Sequence, residues 1–212
     1  RTGLTEREAR ALGIDCTTVI VPGSDKAHFM PEAKSLILKL VADPKTRKLL
    51  GVQAIGPGAG DKRVDVAAMA ITANMTVDQL AQADLCYAPP YSPAMDNILV
   101  AADVMRNRLD GLFAGLPAEA VIARRAAGEA MVLLDVRSPE EFAQGHIAGA
   151  RHIPLGALRN RAGELPRDVP IMAYCKISLR GYEAARILNA AGFSNVSVID
   201  GGLAVWPEAL EK

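Results

Sequence analysis

Residues 171–188 constrain the fold of this chain more than any other stretch. A short apolar run ends at Cys175, and residues from 179 onward carry apolar side chains at helical spacing. This pattern predicts a buried strand, a tight loop and a helix, with the thiol at the carboxyl end of the strand. Because ligands bind beyond the carboxyl ends of strands in open parallel sheets, the Cys175 loop is the first candidate site.

The residues around this loop predict an α/β domain over residues 112–212. Apolar runs that are typical of strands alternate with segments of helical period, and this alternation favours a mostly parallel sheet. The predicted strands are 131–136, 150–153, 170–174 and 196–199. The predicted helices are 117–127, 139–144, 155–161, 179–191 and a last one that runs through Trp206.

Residues 1–111 show a different order of elements. Alternating residues in 35–42 and 48–56 flank a turn and predict a β-hairpin, after an earlier strand at 17–21. The predicted helices are 2–13, 61–73, 76–80 and 94–109, of which the first has Thr5 and Glu8 in capping-box positions. A hairpin followed by helices indicates an α+β domain, that is, an antiparallel sheet with helices.

Composition narrows the range of partners. Lysine plus arginine equals aspartate plus glutamate, and no basic run occurs, which argues against nucleic acid as a partner. No apolar run approaches the roughly 20 residues that span a bilayer, so no membrane partner is expected. Three cysteines far apart in sequence favour a reducing compartment, hence a cytoplasmic protein. The histidines lack the spacing of metal ligands, so no metal site is expected.

The loop after Cys175 combines several features that bind anions. A chain that curls into a helix N-terminus directs N–H groups inward, and Lys176 and Arg180 add positive charge. These groups favour a thiolate, and the loop would hold the terminal sulfur of a persulfide or the oxyanion of a donor such as thiosulfate. The predicted substrate-binding residues are Lys176, Ile177, Ser178 and Leu179. The alternative is an inert core cysteine, which unpaired buried cysteines often are.

Residues 113–212 resemble a rhodanese domain over their whole length. The motifs are Leu-Asp-Val-Arg-Ser-Pro-Glu-Glu-Phe at 134–142, Gly-His-Ile-Ala-Gly-Ala at 145–150, the Cys175–Arg180 loop, and Asp-Gly-Gly at 200–202 with Trp206. The resemblance implies a sulfurtransferase in which Cys175 becomes a persulfide and passes sulfur to a thiol or to cyanide. It implies that Arg180 closes the loop and helps to hold the anion.

Loop length and flanking residues refine this resemblance. Six residues from Cys175 to Arg180 match sulfurtransferases, whereas related phosphatases and arsenate reductases have a loop one residue longer. Ser178 occupies a position at which the resemblance predicts glycine. We interpret Asp135 and Arg137 as a buried ion pair that supports the loop rather than as catalytic groups. His146 is interpreted as structural, because a thiolate activated by its loop needs no histidine as a base.

The first half resembles the dimerisation domain of pyridine nucleotide–disulfide reductases, of the branch that contains CoA-disulfide reductases and NADH oxidases. The resemblance rests on residues 3–9, 50–56 and 84–93, and its most specific part is the Tyr-Ala-Pro-Pro-Tyr-Ser-Pro sequence at 87–93. It implies a homodimer in which Tyr87 and Tyr91 contact the substrate in the other subunit. The alternative is that both tyrosines only pack in the interface. A further tyrosine that the family predicts near residues 29–30 is absent.

The chain has no Gly-x-Gly-x-x-Gly sequence, so FAD and NAD(P)H are expected only in a longer protein that contains it. The first residue, Arg1, is not a methionine, which favours the C-terminal part of a reductase–rhodanese fusion. The two resemblances together imply sulfur transfer at Cys175 within a flavin-dependent CoA-disulfide or CoA-persulfide reductase. CoA species are candidate acceptors of the sulfur. The alternative is a non-catalytic module for dimerisation or docking.

Overall fold

A computed structural model describes all 212 residues of the chain. The chain forms two compact units, Arg1–Gly111 and Leu112–Lys212. No helix in either unit is long and apolar enough to cross a bilayer.

The first unit contains a four-stranded antiparallel sheet in the order β1-β4-β3-β2. Its strands are β1 (Thr2–Gly3), β2 (Thr17–Ser24), β3 (Ser35–Ala42) and β4 (Leu49–Ile55). Its helices are α1 (Glu6–Ala11), α2 (Gly60–Thr72), α3 (Val77–Ala81) and α4 (Asn97–Leu109). The predicted α+β class and the β3–β4 hairpin are confirmed.

Local side-chain bonds explain several of these boundaries. The Asp43 carboxylate accepts the N–H groups of Lys45 and Thr46, at 2.7 and 2.9 Å, and so closes the hairpin turn. The predicted capping box of Thr5 and Glu8 is present at the start of α1. The predicted helix over residues 2–13 was too long at its start, because Thr2 and Gly3 pair with β4 as a strand.

A buried ion pair joins α2 to the start of α4. The Arg63 side chain is fully buried, and its Nε and Nη2 atoms donate to the Asp96 carboxylate at 2.9 and 2.8 Å. The other guanidinium bonds go to the carbonyl oxygens of Ala59 and Asp25, both at 2.9 Å. Because Asp96 also caps α4, this cluster holds the end of the irregular segment that contains the two tyrosines.

Replacing Arg63 by methionine is expected to destabilise the first unit by about 3–5 kcal/mol, because the buried Asp96 carboxylate loses its two-point partner. It keeps only one cationic partner, Lys62, whose Nζ lies 3.7 Å away. The matched control is Arg161→Met, which breaks an exposed pair with Glu164 and should cost less than about 1 kcal/mol. Urea unfolding followed by far-UV circular dichroism measures both variants. Equal unfolding midpoints for the two variants would contradict a structural role for the buried pair.

The second unit contains a five-stranded sheet in the order β5-β9-β8-β6-β7, and every pairing in it is parallel. Its strands are β5 (Gly115–Leu116), β6 (Val132–Asp135), β7 (Arg151–His152), β8 (Ile171–Tyr174) and β9 (Val196–Ile199). Its helices are α5 (Ala118–Ala126), α6 (Pro139–Gln144), α7 (Leu155–Arg161), α8 (Leu179–Ala190) and the 3-10 helices Ala162–Glu164 and Gly202–Val205. The predicted α/β class is confirmed.

Two details of the second unit differ from the sequence predictions. The last helix is a short 3-10 helix that ends before Trp206, because the chain there starts from two glycines with positive φ. The strand β5 was not predicted, since only Gly115 and Leu116 pair, with Val198 and Ile199 of β9. A run of two residues carries no periodic pattern.

Candidate active site

Cys175 lies directly after β8, the central strand of the five-stranded sheet. The residue is only 1% exposed, whereas Lys176, Ile177 and Leu179 are exposed around it. The thiol therefore lies at the base of the loop, and these three side chains form its outer rim. This placement corresponds to the strand end that the sequence predicted.

The loop leaves its backbone donors free. None of the N–H groups of residues 176–180 donates to an acceptor in the protein. The N-cap residue of α8, Ser178, provides no side-chain cap, whereas α1, α3 and α6 all begin with capping boxes. Free N–H groups at the start of a twelve-residue helix are donors that can bind an anion.

Ser178 adopts the conformation that the resemblance assigns to glycine. Its φ of 76° lies in the left-handed region, which a residue with a Cβ adopts at a cost in free energy. The buried hydroxyl donates to the carbonyl oxygen of Ile199 at 3.0 Å, and this bond offsets part of the cost. The loop thus makes its left-handed turn with serine in place of glycine.

The opposing effects of backbone strain and the hydroxyl hydrogen bond at position 178 can be tested by substitution. Ser178→Ala should lower the free energy of unfolding by about 1–2 kcal/mol, because the bond to Ile199 is lost and the strain stays. Ser178→Gly also loses the bond but relieves about 1 kcal/mol of strain, so it should be the more stable variant. Denaturation followed by the fluorescence of Trp206, the only tryptophan, compares them. If Ser178→Ala were more stable than Ser178→Gly, the proposed strain at position 178 would be contradicted.

The two glycines after β9 bring the chain against the base of the loop. The N–H groups of Leu203 and Ala204 donate to the carbonyl oxygens of Cys175 and Lys176, at 3.0 and 2.9 Å. A Cβ on Gly202 would lie 2.4 Å from the Cys175 oxygen, and its φ is 59°. These bonds occupy both carbonyl oxygens and attach residues 203–204 to the start of the loop. Gly202 was part of a recognised motif, but it was not among the predicted site residues.

Arg180 makes an ion pair that the sequence analysis did not predict. Its Nη1 and Nη2 atoms donate to the Glu141 carboxylate at 2.6 and 2.7 Å. The pKa of Arg180 is raised, mainly by Glu141 and to a smaller extent by Cys175. Arg180 is thus paired with the carboxylate and close enough to the sulfur for Cys175 to influence its pKa. The sequence feature that could have drawn attention to Glu141 is its position in the capping box that starts at Ser138.

Asp135 and Arg137 form a buried ion pair under the loop. Arg137 Nη2 donates to the Asp135 carboxylate at 2.6 Å and to the carbonyl oxygen of Gly145 at 2.7 Å. Burial and the nearby Asp135 raise the pKa of Tyr174, the residue before Cys175, so its hydroxyl stays protonated. The Tyr174 hydroxyl accepts the N–H of Ile147 at 3.2 Å. These contacts fix the ends of the two neighbouring strands β6 and β8.

His146 stacks on Phe142 with 3.8 Å between the ring centroids, and His152 stacks on the same ring at 4.4 Å. His146 Nδ1 lies 3.2 Å from the carbonyl oxygen of Phe142, and His152 Nε2 lies 2.9 Å from that of Arg137. The backbone of His146 also exchanges two hydrogen bonds with Glu211 near the C-terminus. These contacts account for both histidines as packing residues.

In the first unit, Tyr87 and Tyr91 are 51% and 71% exposed. Their segment is folded by backbone bonds, with the N–H groups of Tyr91 and Ser92 donating to the carbonyl oxygen of Ala88 at 2.9 and 3.1 Å. The Ser92 hydroxyl, which is buried, donates to the carbonyl oxygen of Cys86 at 3.4 Å. The two phenol rings are therefore presented to solvent by a segment with its own hydrogen bonds.

Two family models match the chain, one in each unit. Residues 1–98 match the dimerisation domain of pyridine nucleotide-disulphide oxidoreductases, and residues 118–209 match the rhodanese-like domain. A sulfurtransferase from Allochromatium vinosum is 33% identical over 91 residues, which cover 43% of this chain and 85% of that protein. The chain belongs to the rhodanese-like family through its second unit and carries the oxidoreductase dimerisation domain before it. Both resemblances drawn from the motifs are confirmed.

Longer proteins match one or both of these units. A CoA-dependent NAD(P)H sulfur oxidoreductase from Pyrococcus furiosus is 42% identical over 106 residues, which cover 50% of this chain and 24% of that protein. The crystal structure of reduced CoADR-RHD from Bacillus anthracis matches with a TM-score of 0.90 and 36% identity, over 100% of this chain and 38% of that one.

An NAD-dependent persulfide reductase from A. fulgidus has a TM-score of 0.87 and 44% identity, over 97% of this chain and 37% of that one. The chain thus spans less than two fifths of each of these two solved structures. It spans about a quarter of the Pyrococcus furiosus relative.

Proposed function

We propose that the unit Leu112–Lys212 is a sulfurtransferase domain in which Cys175 carries the transferred sulfur as a persulfide. The observation that carries this proposal is the set of free N–H groups in residues 176–180, which follow the buried Cys175 and end at Arg180. A loop of this kind binds an anion and places it against the thiolate. The relationship to sulfurtransferases supports the same chemistry.

The chemistry proceeds in two displacements. The Cys175 thiolate attacks the outer sulfur of a donor such as thiosulfate, and the donor S–S bond breaks. Sulfite leaves with the electron pair, and the cysteine persulfide remains with a negative charge on its terminal sulfur. A thiolate acceptor or cyanide then attacks that terminal sulfur, and the Cys175 thiolate is released.

The loop residues have separate roles in this proposal. Arg180 and the exposed Lys176 supply positive charge that holds the anionic donor, in addition to the free N–H groups. Ser178 sets the left-handed turn that directs those N–H groups inward. Ile177 and Leu179 are 40% and 59% exposed on the rim, where they meet the apolar part of the molecule that brings or takes the sulfur.

We further propose that residues 112–212 act as one domain of a longer protein, with residues 1–111 as its dimerisation domain. The names of the relatives suggest a CoA-dependent sulfur or persulfide reductase that uses NAD(P)H. The match to the dimerisation domain of pyridine nucleotide-disulphide oxidoreductases supports a CoA-disulfide or CoA-persulfide reductase with FAD in the longer protein. This chain has no Gly-x-Gly-x-x-Gly sequence, so its residues do not fit a dinucleotide site, and in this proposal FAD is bound by other residues of the longer protein.

In this arrangement Tyr87 and Tyr91 reach the substrate thiolate in the second copy of the chain. Both side chains are exposed and therefore available for this contact. A phenol hydroxyl can donate a hydrogen bond to a thiolate. Sedimentation of the purified chain tests the homodimer, and a monomer at every concentration would contradict it.

The sulfurtransferase proposal is tested by mass spectrometry of the chain after incubation with thiosulfate. One sulfur atom should be added to the peptide that contains Cys175, with one sulfite released per chain. Cys16 and Cys86 serve as internal controls and should remain unmodified. If Cys175 gains no sulfur, the proposal is wrong, and the buried thiol is a structural residue of a module for dimerisation or docking.

A further inference from the structure

The carboxylate of Glu141 holds the guanidinium of Arg180 in a two-point contact, at 2.6 and 2.7 Å. Glu141 belongs to α6, which follows β6, and Arg180 belongs to α8, which follows β8. Because β6 and β8 are neighbours in the parallel sheet, both helices start at the same edge of the sheet. The ion pair therefore spans two adjacent strand–helix connections at the mouth of the loop.

The Glu141 carboxylate is also held by the start of its own helix. One of its oxygens, Oε2, accepts the N–H of Ser138 at 3.0 Å as part of the capping box of α6. The bond to Arg180 is the largest cause that lowers the pKa of Glu141 to about 2. Glu141 is thus negatively charged at every pH used for an enzyme assay, and it offers Arg180 an immobile acceptor.

Arg180 retains donors that Glu141 does not use. A guanidinium has five N–H donors, and the two-point contact occupies one on each terminal nitrogen. Arg180 lies in the first turn of α8, at the end of the loop that begins with Cys175, and Cys175 contributes to the raised pKa of Arg180. Both observations place the guanidinium near the sulfur. Its remaining N–H groups are therefore available to an anion that is bound over Cys175.

We propose that Glu141 is a positioning residue for sulfur transfer, which orients Arg180 toward the leaving group of the donor. The inference rests on the proposed sulfurtransferase function. In the first displacement the electron pair of the broken S–S bond moves onto sulfite, so negative charge grows beside Arg180. A guanidinium already held in place stabilises that charge without reorienting, whereas a mobile one must first lose side-chain freedom. Glu141 itself touches neither donor nor sulfur.

The competing explanation is that Glu141 only caps α6. The chain contains its own comparison, because the capping box of Thr76 uses Gln79 in the same position. A glutamine can therefore keep the cap, while it lacks the charge and presents N–H donors to the guanidinium. Glu141→Gln separates the two roles. The matched control is Glu8→Gln, the same change in the capping box of α1 in the first unit.

Steady-state thiosulfate:cyanide kinetics test the inference. Glu141→Gln should lower kcat about tenfold, because misplacing a group that acts in the transition state lowers the rate more than binding. Its KM should change less than about twofold, since the charge of Arg180 is still present. Glu8→Gln should retain the kinetics of the unmodified chain. If the unmodified chain adds sulfur to Cys175 but Glu141→Gln has an unchanged kcat, the proposed role of Glu141 is wrong. The proposed sulfurtransferase function would then still stand.

A second background tests whether Glu141 acts through Arg180. In an Arg180→Ala chain, adding Glu141→Gln should leave the rate of sulfur addition to Cys175 unchanged, because no guanidinium remains to be oriented. An equal loss on both backgrounds would show that the effect is structural, and the inference would be wrong. Failure of the unmodified chain to take up sulfur would overturn the proposed function and this inference together.

Discussion

Replacing Cys175 by serine is expected to reduce thiosulfate:cyanide sulfur transfer to the uncatalysed background. The reaction requires an atom that attacks the outer sulfur of the donor and then holds it as a persulfide. A serine hydroxyl stays protonated at neutral pH and is a far weaker nucleophile than a thiolate. Because the loop can still bind the donor anion, the loss should appear in kcat.

The controls for Cys175→Ser separate lost chemistry from lost structure. The substitution buries a hydroxyl where a thiol was, which costs about 1–3 kcal/mol if no acceptor is found. Fluorescence of Trp206 should therefore show a folded second unit with a lower midpoint of unfolding. Cys16→Ser and Cys86→Ser should keep full activity, since neither residue belongs to the loop. Sulfur transfer by a folded Cys175→Ser chain would remove Cys175 from the mechanism.

Replacing Gly202 by alanine is expected to destabilise the second unit by about 3 kcal/mol and to impair sulfur transfer. The left-handed φ of 59° costs an alanine about 1–2 kcal/mol. The added Cβ would lie 2.4 Å from the Cys175 oxygen, and relieving that overlap costs about 1–3 kcal/mol more. Since the obstacle is backbone, the chain must move, and the bonds from Leu203 and Ala204 to the loop carbonyls weaken with it.

The matched control is Gly156→Ala in α7. No atom lies within 4 Å of a Cβ at that position, and the residue is exposed within a helix. This variant should gain about 0.5–1 kcal/mol and keep its activity. Unfolding followed by Trp206 fluorescence, together with thiosulfate:cyanide assays, compares the two variants. A Gly202→Ala chain with unmodified stability would show that the close approach to Cys175 does not constrain the loop.

The sequence alone predicted the elements with strong local patterns. Helix α6 (Pro139–Gln144), helix α7 (Leu155–Arg161) and strand β3 (Ser35–Ala42) have the predicted bounds, because each depends on residues within one or two turns or a single alternating run. The capping box of Thr5 and Glu8 was readable for the same reason. The elements that were missed, such as β1 and β5, are two residues long and exist only through pairing with distant strands.

In the candidate site, too, the features that depend on local sequence were predicted and those that depend on distant contacts were not. Its cysteine, its loop length and its cations lie in one continuous segment, so the chain order was sufficient to propose an anion-binding loop at the end of a strand. The serine at position 178 raised the question of the path of the loop. Only the backbone could answer it, because the answer lies in a φ of 76° and a bond to Ile199.

The sequence by itself determined that Cys175 ends a buried strand, that a six-residue loop with two cations follows it, and that two domains of different class share the chain. Tertiary structure alone decided the partners of that loop. Glu141 reaches Arg180 across 39 positions, and Gly202 closes on Cys175, because the sheet order places β6 and β9 on either side of β8. Local periodicity indicates where strands occur, but the order in which they pair is a property of the packed sheet.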